Sequence, residues 1–372
     1  MLAAEFFAGI GIVRLALEEA GWDVAFANDI DSKKRTMYSD HFGPEHFRLD
    51  DIHKLSGPDI PMVSLATASF PCIDLSLAGN RAGLNGKHSS SYWEFLRIVA
   101  EMKSRKPPFV VLENVHGLLS SNQGEDLNEI VRSLNQLGYA CDLVSVDASW
   151  FVPQSRPRLF VVGRPWQLGD TLPLISPHPA RPRAIVDFVL SHPRLQWHFA
   201  KLPPIRVRQQ RLKSIIERVP PSSPLWWDSE RRGHLFSQMS DSHKGKLKLL
   251  AQSSTFQYAT VYKRVRPAGC RAEVRFDGIA GCLRTPRGGS SKQFVIQAGR
   301  GHWKVRNLTA REYARLQGVP DDYPISVDEN HALFGFGDAV CVPVVSWVIR
   351  HCVNPYLSKK GRLERQLASK SR

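Results

Sequence analysis

Along the first 165 residues, short apolar and β-branched runs alternate with segments whose apolar positions recur every three to four places. The runs at 2–7, 24–27, 62–66, 109–112, 143–146 and 159–162 have strand length. The patterns at 13–20, 32–42, 92–103 and 127–137 have the helical period. Such alternation predicts a mostly parallel sheet with helices on both faces, an α/β class. In sheets of this kind ligands gather among the loops at the carboxyl ends of the strands. Beyond residue 165 the period is lost. Pro- and Arg-rich stretches (177–183, 203–204, 220–221) interrupt short apolar pieces, which predicts a second, smaller, loop-rich domain. Helical patterning returns at 308–317 and 340–351, and the basic tail 359–372 reads as helical or frayed.

The chain has 372 residues, long enough for one large or two modest domains. Its apolar runs are all of strand length, which predicts no membrane-spanning helix, and no secretory leader is evident at residues 1–5. Six cysteines at 72, 141, 270, 282, 341 and 352 form no Cys-x-x-Cys pair. That spacing argues against a metal centre or a disulfide framework and for a reducing, cytoplasmic compartment. Charge changes the picture further. Residues 181–310 hold 25 lysines and arginines against 7 acidic residues, whereas the rest of the chain is close to neutral. The concentrated positive charge predicts a nucleic-acid-binding segment set in a near-neutral body.

Three polar strings end apolar runs: Ser69-Phe70-Pro71-Cys72, Glu113-Asn114-Val115 and Gln154-Ser155-Arg156-Pro157-Arg158. Together they offer a thiol, a carboxyl and two guanidiniums. Those groups suit addition of a substituent to carbon 5 of cytosine, a poor nucleophile. A thiolate adding to carbon 6, with an acid protonating ring nitrogen 3, makes carbon 5 nucleophilic. Cys72 is the candidate thiol and Glu113 the candidate acid. Arg156 and Arg158 favour the thiolate, and Asn114 fixes the loop around it. A cysteine alone is more often an inert core residue, and strand-end Glu or Arg more often a surface charge. Only the combination points to chemistry.

A donor pocket is legible at the other strand ends. Phe7-Ala8-Gly9-Ile10-Gly11 follows the first strand, where glycines allow a tight turn and close ligand approach. The third glycine of a dinucleotide fingerprint is replaced by Arg14. The second strand ends in Asn28-Asp29, where a carboxylate can accept from ribose hydroxyls, and the third ends in Asp50-Asp51-Ile52, where an adenine amino group can donate. The chemistry favours S-adenosyl-L-methionine over a nicotinamide.

The ordered blocks Phe7–Gly11, Pro71-Cys72, Glu113-Asn114-Val115, Gln154-x-Arg156-x-Arg158, 306–321 and Gly337-Asp338-Ala339-Val340 resemble those of DNA (cytosine-5) methyltransferases of the bacterial restriction–modification type. The resemblance covers nearly the whole chain. It implies a Rossmann-like methyltransferase domain over 1–175, completed by 338–372, and a target-recognition domain and hinge over 176–337. It also implies donor contacts at Phe7, Gly9, Gly11, Asp29, Asp51, Ile52, Pro71, Asp338 and Ala339, and orientation of the target base by Arg156 and Arg158. Duplex DNA is the implied partner, with a flipped cytosine as substrate. A monomer acting apart from a cognate endonuclease, in the bacterial cytoplasm and nucleoid, is the implied setting. Arg284 and Arg287, beside paired glycines, are candidate base readers because guanidinium pairs bidentately with guanine. Three positions depart from the family pattern: Ile73 for Gln, Asp338 for Asn and Cys282 for Thr. The alternatives are a transfer RNA cytosine-5 methyltransferase and a DNA-binding regulator without catalysis.

Overall fold

The computed structural model describes residues 1–71, 90–166, 175–205, 207, 211–266, 269–285 and 292–357. Cys72, Ile73, Arg287 and the tail 359–372 lie outside the described residues. Two compact units divide the chain. The first comprises Met1–Asp147, Pro157–Ile205 and Pro343–Arg372, and the second Ala148–Arg156 and Arg206–Val342.

The first unit is built on a seven-stranded sheet. Its strands are β1 (Leu2–Phe6), β2 (Asp23–Asp29), β3 (Phe47–Leu49), β4 (Leu65–Ala68), β5 (Phe109–Val115), β6 (Tyr139–Asp147) and β7 (Pro157–Pro165), in spatial order β3-β2-β1-β4-β5-β7-β6. The first five are mutually parallel, and β7 runs antiparallel to both β5 and β6. Helices α1 (Ile12–Glu19), α2 (Ser32–Phe42), α3 (Ser90–Glu101) and α4 (Glu125–Gln136) connect the strands. α2 begins where the pattern predicts because Asp31 caps the amides of Lys33 and Lys34 at 2.9 and 3.1 Å. A continuous core joins Phe6, Phe26, Phe95, Val110, Leu127, Ile130 and Leu143. Its Phe6 and Phe95 rings meet edge to face at 5.1 Å.

β6 and β7 run longer at both ends than the pattern predicts, and two further boundary differences bear on the site. The strand expected at 62–66 begins only at Leu65, and Met62 is 72% exposed. β5 continues to Val115, because β7 supplies ladder partners as far as Val115 opposite Arg158. Glu113 therefore lies within the strand, opposite Phe160.

The change of texture at residue 165 is not the edge of the first compact unit. Residues 175–205, with helix α5 (Arg183–Ser191), stay bound to β6. Cys141 donates to Gln196 O and accepts from His198 N, each at 2.9 Å, and Ser145 donates to Ala180 O at 2.8 Å. Beneath them the buried Asp142 carboxylate takes Arg181 Nη2 and the Ala200 amide, each at 2.7 Å. A second buried guanidinium, Arg164, reaches the same carboxylate at 3.4 Å and His198 O at 2.6 Å.

The second unit, expected to be loop-rich, contains a four-stranded antiparallel sheet. Its strands β8 (Gln257–Arg266), β9 (Gly269–Arg275), β10 (Gln293–Gly299) and β11 (His302–Asn307) lie in the order β11-β10-β8-β9. Helices α6 (Ser229–Ser237) and α7 (Asp241–Ala251) cover one face through Leu235 and Leu247, with Met239 from the connection between them, packed with Ala259, Val261, Phe294 and Ile296. β9 buries only alternate residues, Ala272 and Val274, and the one short apolar run is Phe294-Val295-Ile296 in β10, so the sheet leaves a weak hydrophobic pattern. Helices α8 (Ala310–Leu316) and α9 (Glu329–Asp338) follow. The stretch Glu329–Tyr356 is long and apolar enough to cross a membrane, but 72% of its most apolar window is buried within the protein, as in a core helix.

Candidate active site

The sheet order reverses between β1 and β4, which lie side by side and parallel. The loops that follow them leave the same edge in opposite directions, opening a crevice there. The glycine loop follows β1, and the Phe70-Pro71 turn follows β4.

The glycine loop is tightly folded. Phe7, Gly9 and Gly11 take positive φ values of 59°, 57° and 80°. Left-handed backbone is costly for Phe7, a strain found most often where a loop must hold one shape for a ligand. Gly11 is also sterically required, since a Cβ there would fall 2.5 Å from the Phe42 ring and 2.8 Å from that of Tyr38. The loop is tied to the end of β2 by Ala8 N to Asn28 O and by Gly9 N to Asp29 Oδ2, both 2.8 Å. The buried Asn28 side chain in turn holds Arg48 O and Asp50 O at 3.0 and 2.9 Å, linking the third strand end to the second. Helix α1 follows its N-cap Gly11 without a side-chain cap bond or an acidic first turn, which suits an anionic group near its N-terminus.

Asp29 thus has a structural duty as well as the expected ligand role. Its Oδ2 holds Gly9, and its Oδ1 accepts the Asp31 amide at 2.9 Å. Asp51 accepts the His53 amide at 3.0 Å and the His53 ring at 2.7 Å. These bonds, the backbone amide foremost, hold its carboxyl below the usual carboxylate range. Ile52 is buried, whereas Ile30, beside Asp29, is 68% exposed. Sequence reasoning passed over Ile30, and its only signal was an apolar residue between two aspartates. Glu5 was also missed. It lies buried in β1 with no ideal hydrogen-bond partner for its carboxyl oxygens among the described residues, and burial, only partly opposed by Arg14 with its charge and backbone amide, raises its pKa well above the glutamate range.

At the other side of the crevice, Asn114 Nδ2 donates to Phe70 O at 3.3 Å and Asn114 Oδ1 accepts Val115 N at 2.8 Å. The side chain therefore braces the chain two residues before Cys72. Glu113 Oε1 meets Arg158 Nε at 2.9 Å, with the two side chains only 12% and 13% exposed. The partly dry setting strengthens this pair relative to one in open water.

Arg156 is placed differently. It is 2% exposed, and its guanidinium donates to Leu283 O at 2.7 Å, Gly337 O at 3.2 Å and Ala339 O at 2.6 Å, all in the second unit. Gln154, quoted in the same string but given no role, is fully buried and bonds to Leu316 O at 2.7 Å and Leu283 N at 3.0 Å. Asp338 is exposed at the end of α9, and the Ala339 carbonyl is held by Arg156 and by Gln317. Arg284 is exposed, and Pro71 likewise. Among the described residues, no cluster of three or more His, Cys, Asp or Glu could hold a metal ion.

The sequence profile of the family described as C-5 cytosine-specific DNA methylase matches residues 1–354. Type II methyltransferase M.NgoBI of Neisseria gonorrhoeae is 26% identical over 349 residues, covering 94% of this chain and 92% of that protein. Type II methyltransferase M.NlaX of Neisseria lactamica is 28% identical over 345 residues, covering 92% of each. Among solved structures, the Dnmt2 methyltransferase of S. pombe aligns with a TM-score of 0.62 at 18% identity, over 96% of this chain and 99% of that one. A putative DNA modification methyltransferase encoded within an E. coli prophage aligns with a TM-score of 0.61 at 19% identity, over 95% and 99%. These two likenesses concern the fold.

Proposed function

Because this chain belongs to the C-5 cytosine-specific DNA methylases, we propose that it methylates a cytosine swung out of duplex DNA, with Cys72 as nucleophile and S-adenosyl-L-methionine as donor. The observation that carries the site assignment is the Glu113–Arg158 pair at 2.9 Å, with Glu113 on the strand next to the one that leads into Pro71-Cys72 and Arg158 on the strand beyond it.

In this reading the Cys72 sulfur adds to carbon 6 of the ring while Glu113 delivers a proton to nitrogen 3. Arg158 orients the Glu113 carboxyl, and Asn114 holds the chain entering the cysteine by its bond to Phe70 O. The bound donor supplies an electrophilic methyl group to carbon 5. A base then removes the carbon 5 proton, the thiolate leaves by elimination, and nitrogen 3 returns its proton to Glu113, restoring the neutral aromatic ring. Extruding the base costs roughly a few kcal/mol. Phosphate contacts from the basic stretch 181–310 offset that cost and make affinity fall with salt.

The donor's chemistry fits the residues present. The uncapped amides of α1 suit its carboxylate, Asp29 retains acceptor capacity toward ribose hydroxyls, and exposed Ile30 offers apolar surface to a purine. Phe7, Gly9, Gly11, Asp51, Ile52, Pro71, Asp338 and Ala339 complete the proposed donor set. Arg284 and Arg287 are the proposed base readers, in a recognition domain that corresponds mainly to the second unit. Arg156 supports that domain through its bonds to Leu283 and Ala339. The protein is proposed to work as a cytoplasmic monomer on nucleoid DNA, protecting it from an endonuclease that acts separately.

Labelled methyl transfer tests the assignment, with duplex DNA and transfer RNA as acceptors. Transfer to the duplex is expected, with complete loss in Cys72→Ala and covalent trapping by a duplex carrying 5-fluorocytosine. Undiminished transfer by Cys72→Ala would remove Cys72 from the mechanism. Preference for transfer RNA would change the substrate. Bisulfite sequencing of DNA from expressing cells identifies the methylated sequence.

A further inference from the structure

The segment 280–285 pairs with its surroundings through one isolated bridge, Gln154 with Ala280, yet its backbone is held almost group by group. Ala280 N donates to Pro153 O at 2.8 Å, and Ala280 O accepts Ser155 N at 2.9 Å. Gln293 then spans two residues, its Oε1 accepting Gly281 N and its Nε2 donating to Cys282 O, both at 3.0 Å. Gln154 Oε1 accepts Leu283 N at 3.0 Å, and Arg156 donates to Leu283 O at 2.7 Å. Gln154, Arg156 and Gln293 are each at most 3% exposed. On the other side the chain is wedged by Gly337, where a Cβ would fall 2.7 Å from the carbonyl carbon and oxygen of Arg284 and 2.8 Å from Thr285 N. Within this braced segment Cys282 is half-buried and Arg284 is the exposed side chain.

Fixing irregular backbone with buried amides is demanding, because breaking one such bond strands its partner away from water. The return is orientation. A reader on a loose loop loses freedom on binding, whereas a reader on a fixed platform meets one base edge in one geometry. We propose that Gln293 and Gln154, with Arg156, are positioning residues for sequence reading, setting the base pair that Arg284 addresses. The inference rests on Arg284 being a base reader, and the experiment separates the two.

Once the methylated sequence is known, kcat and KM are measured on that duplex and on duplexes changed at each base pair in turn. The enzymes are wild type, Arg284→Ala, Gln293→Met, Gln293→Glu and the Arg284→Ala/Gln293→Met double variant. Arg284→Ala is expected to lower discrimination at one base pair about tenfold or more, within the range of a lost bidentate contact. Gln293→Met is expected to lower discrimination at that same pair at least fivefold and to add nothing in the Arg284→Ala background. Gln293→Glu keeps the acceptor for Gly281 and loses the donor for Cys282, so an intermediate loss is expected, and it replaces Gln293→Met if that variant fails to fold. If Arg284→Ala relaxes one position while the Gln293 variants slow all duplexes equally or lower only the melting temperature, Gln293 is a brace and the inference is overturned. If Arg284→Ala leaves discrimination unchanged at every position, Arg284 is not the reader and both statements fall.

Discussion

Arg158 Nε lies 2.9 Å from Glu113 Oε1 across neighbouring antiparallel strands, although 45 residues separate them in the chain. The contact puts a fixed cation against the one carboxyl whose string also contains the brace for the turn before Cys72. It makes the geometry of that carboxyl dependent on a second residue.

Removing either partner should therefore slow methyl transfer by different routes. Glu113→Gln keeps shape but has no proton to give, and kcat is expected to fall about 10²–10⁴-fold, the usual contribution of a positioned acid. Arg158→Ala leaves the carboxyl without its orienting partner, and a smaller fall in kcat is expected. Single-turnover rates at saturating DNA check both. A rate unchanged in Glu113→Gln would assign the acid elsewhere.

Gly11→Ala should damage the donor loop. Left-handed backbone costs an L-residue about 1–2 kcal/mol, and crowding against Tyr38 and Phe42 adds about 1–3 kcal/mol. Donor affinity measured by calorimetry is expected to drop, together with the melting temperature. Wild-type values for both would mean that the turn does not depend on glycine at this position.

Glu5 should leave a pH signature on stability. Its folded pKa is raised by burial, against the opposing effect of Arg14 and with support from Asp29 and Glu18. Ionising it in the folded protein is costly, so folding loses stability as pH rises from near 4.5, where the unfolded side chain titrates, towards its raised folded value. Glu5→Gln carries no such penalty. The melting temperature of that variant relative to wild type is expected to climb between acidic and neutral pH, whatever its offset at low pH. A constant difference across the range would mean that Glu5 is not held neutral.

Asp142→Ala removes the one carboxylate shared by the buried Arg164 and Arg181. Stranding these charges is expected to cost about 3–5 kcal/mol and to loosen residues 175–205 from β6. Denaturant titration measures the first effect, and hydrogen exchange at Cys141 and His198 the second. Loss of less than about 1 kcal/mol, the level of an exposed pair, would show that solvent reaches the site.

Much of the first unit is legible in the sequence. α2 begins and ends at the expected residues because its cap, Asp31, and its stop, Gly43, are local signals. β3 closes at Leu49, just before the expected end at Asp50-Asp51-Ile52, and with three residues it is too short to show a period. β8 is hard to read because one face carries Tyr258, Tyr262 and Arg264, so its run alone resembles an arginine-rich loop, whereas β10 holds only three consecutive apolar residues, Phe294-Val295-Ile296, too few to show a period.

The sequence by itself determined which chemical groups the protein owns and the order in which strand ends present them, since turns, caps and glycine requirements are encoded within a few residues. Only the tertiary structure decided how those groups are partnered. Arg156 and Arg158 are two residues apart and look equivalent in the string, yet β7 begins between them, at Pro157. Arg158 turns to Glu113, and Arg156 to a carbonyl 127 residues away. A buried guanidinium must satisfy its donors wherever packing supplies acceptors, and that supply is a property of the assembled chain.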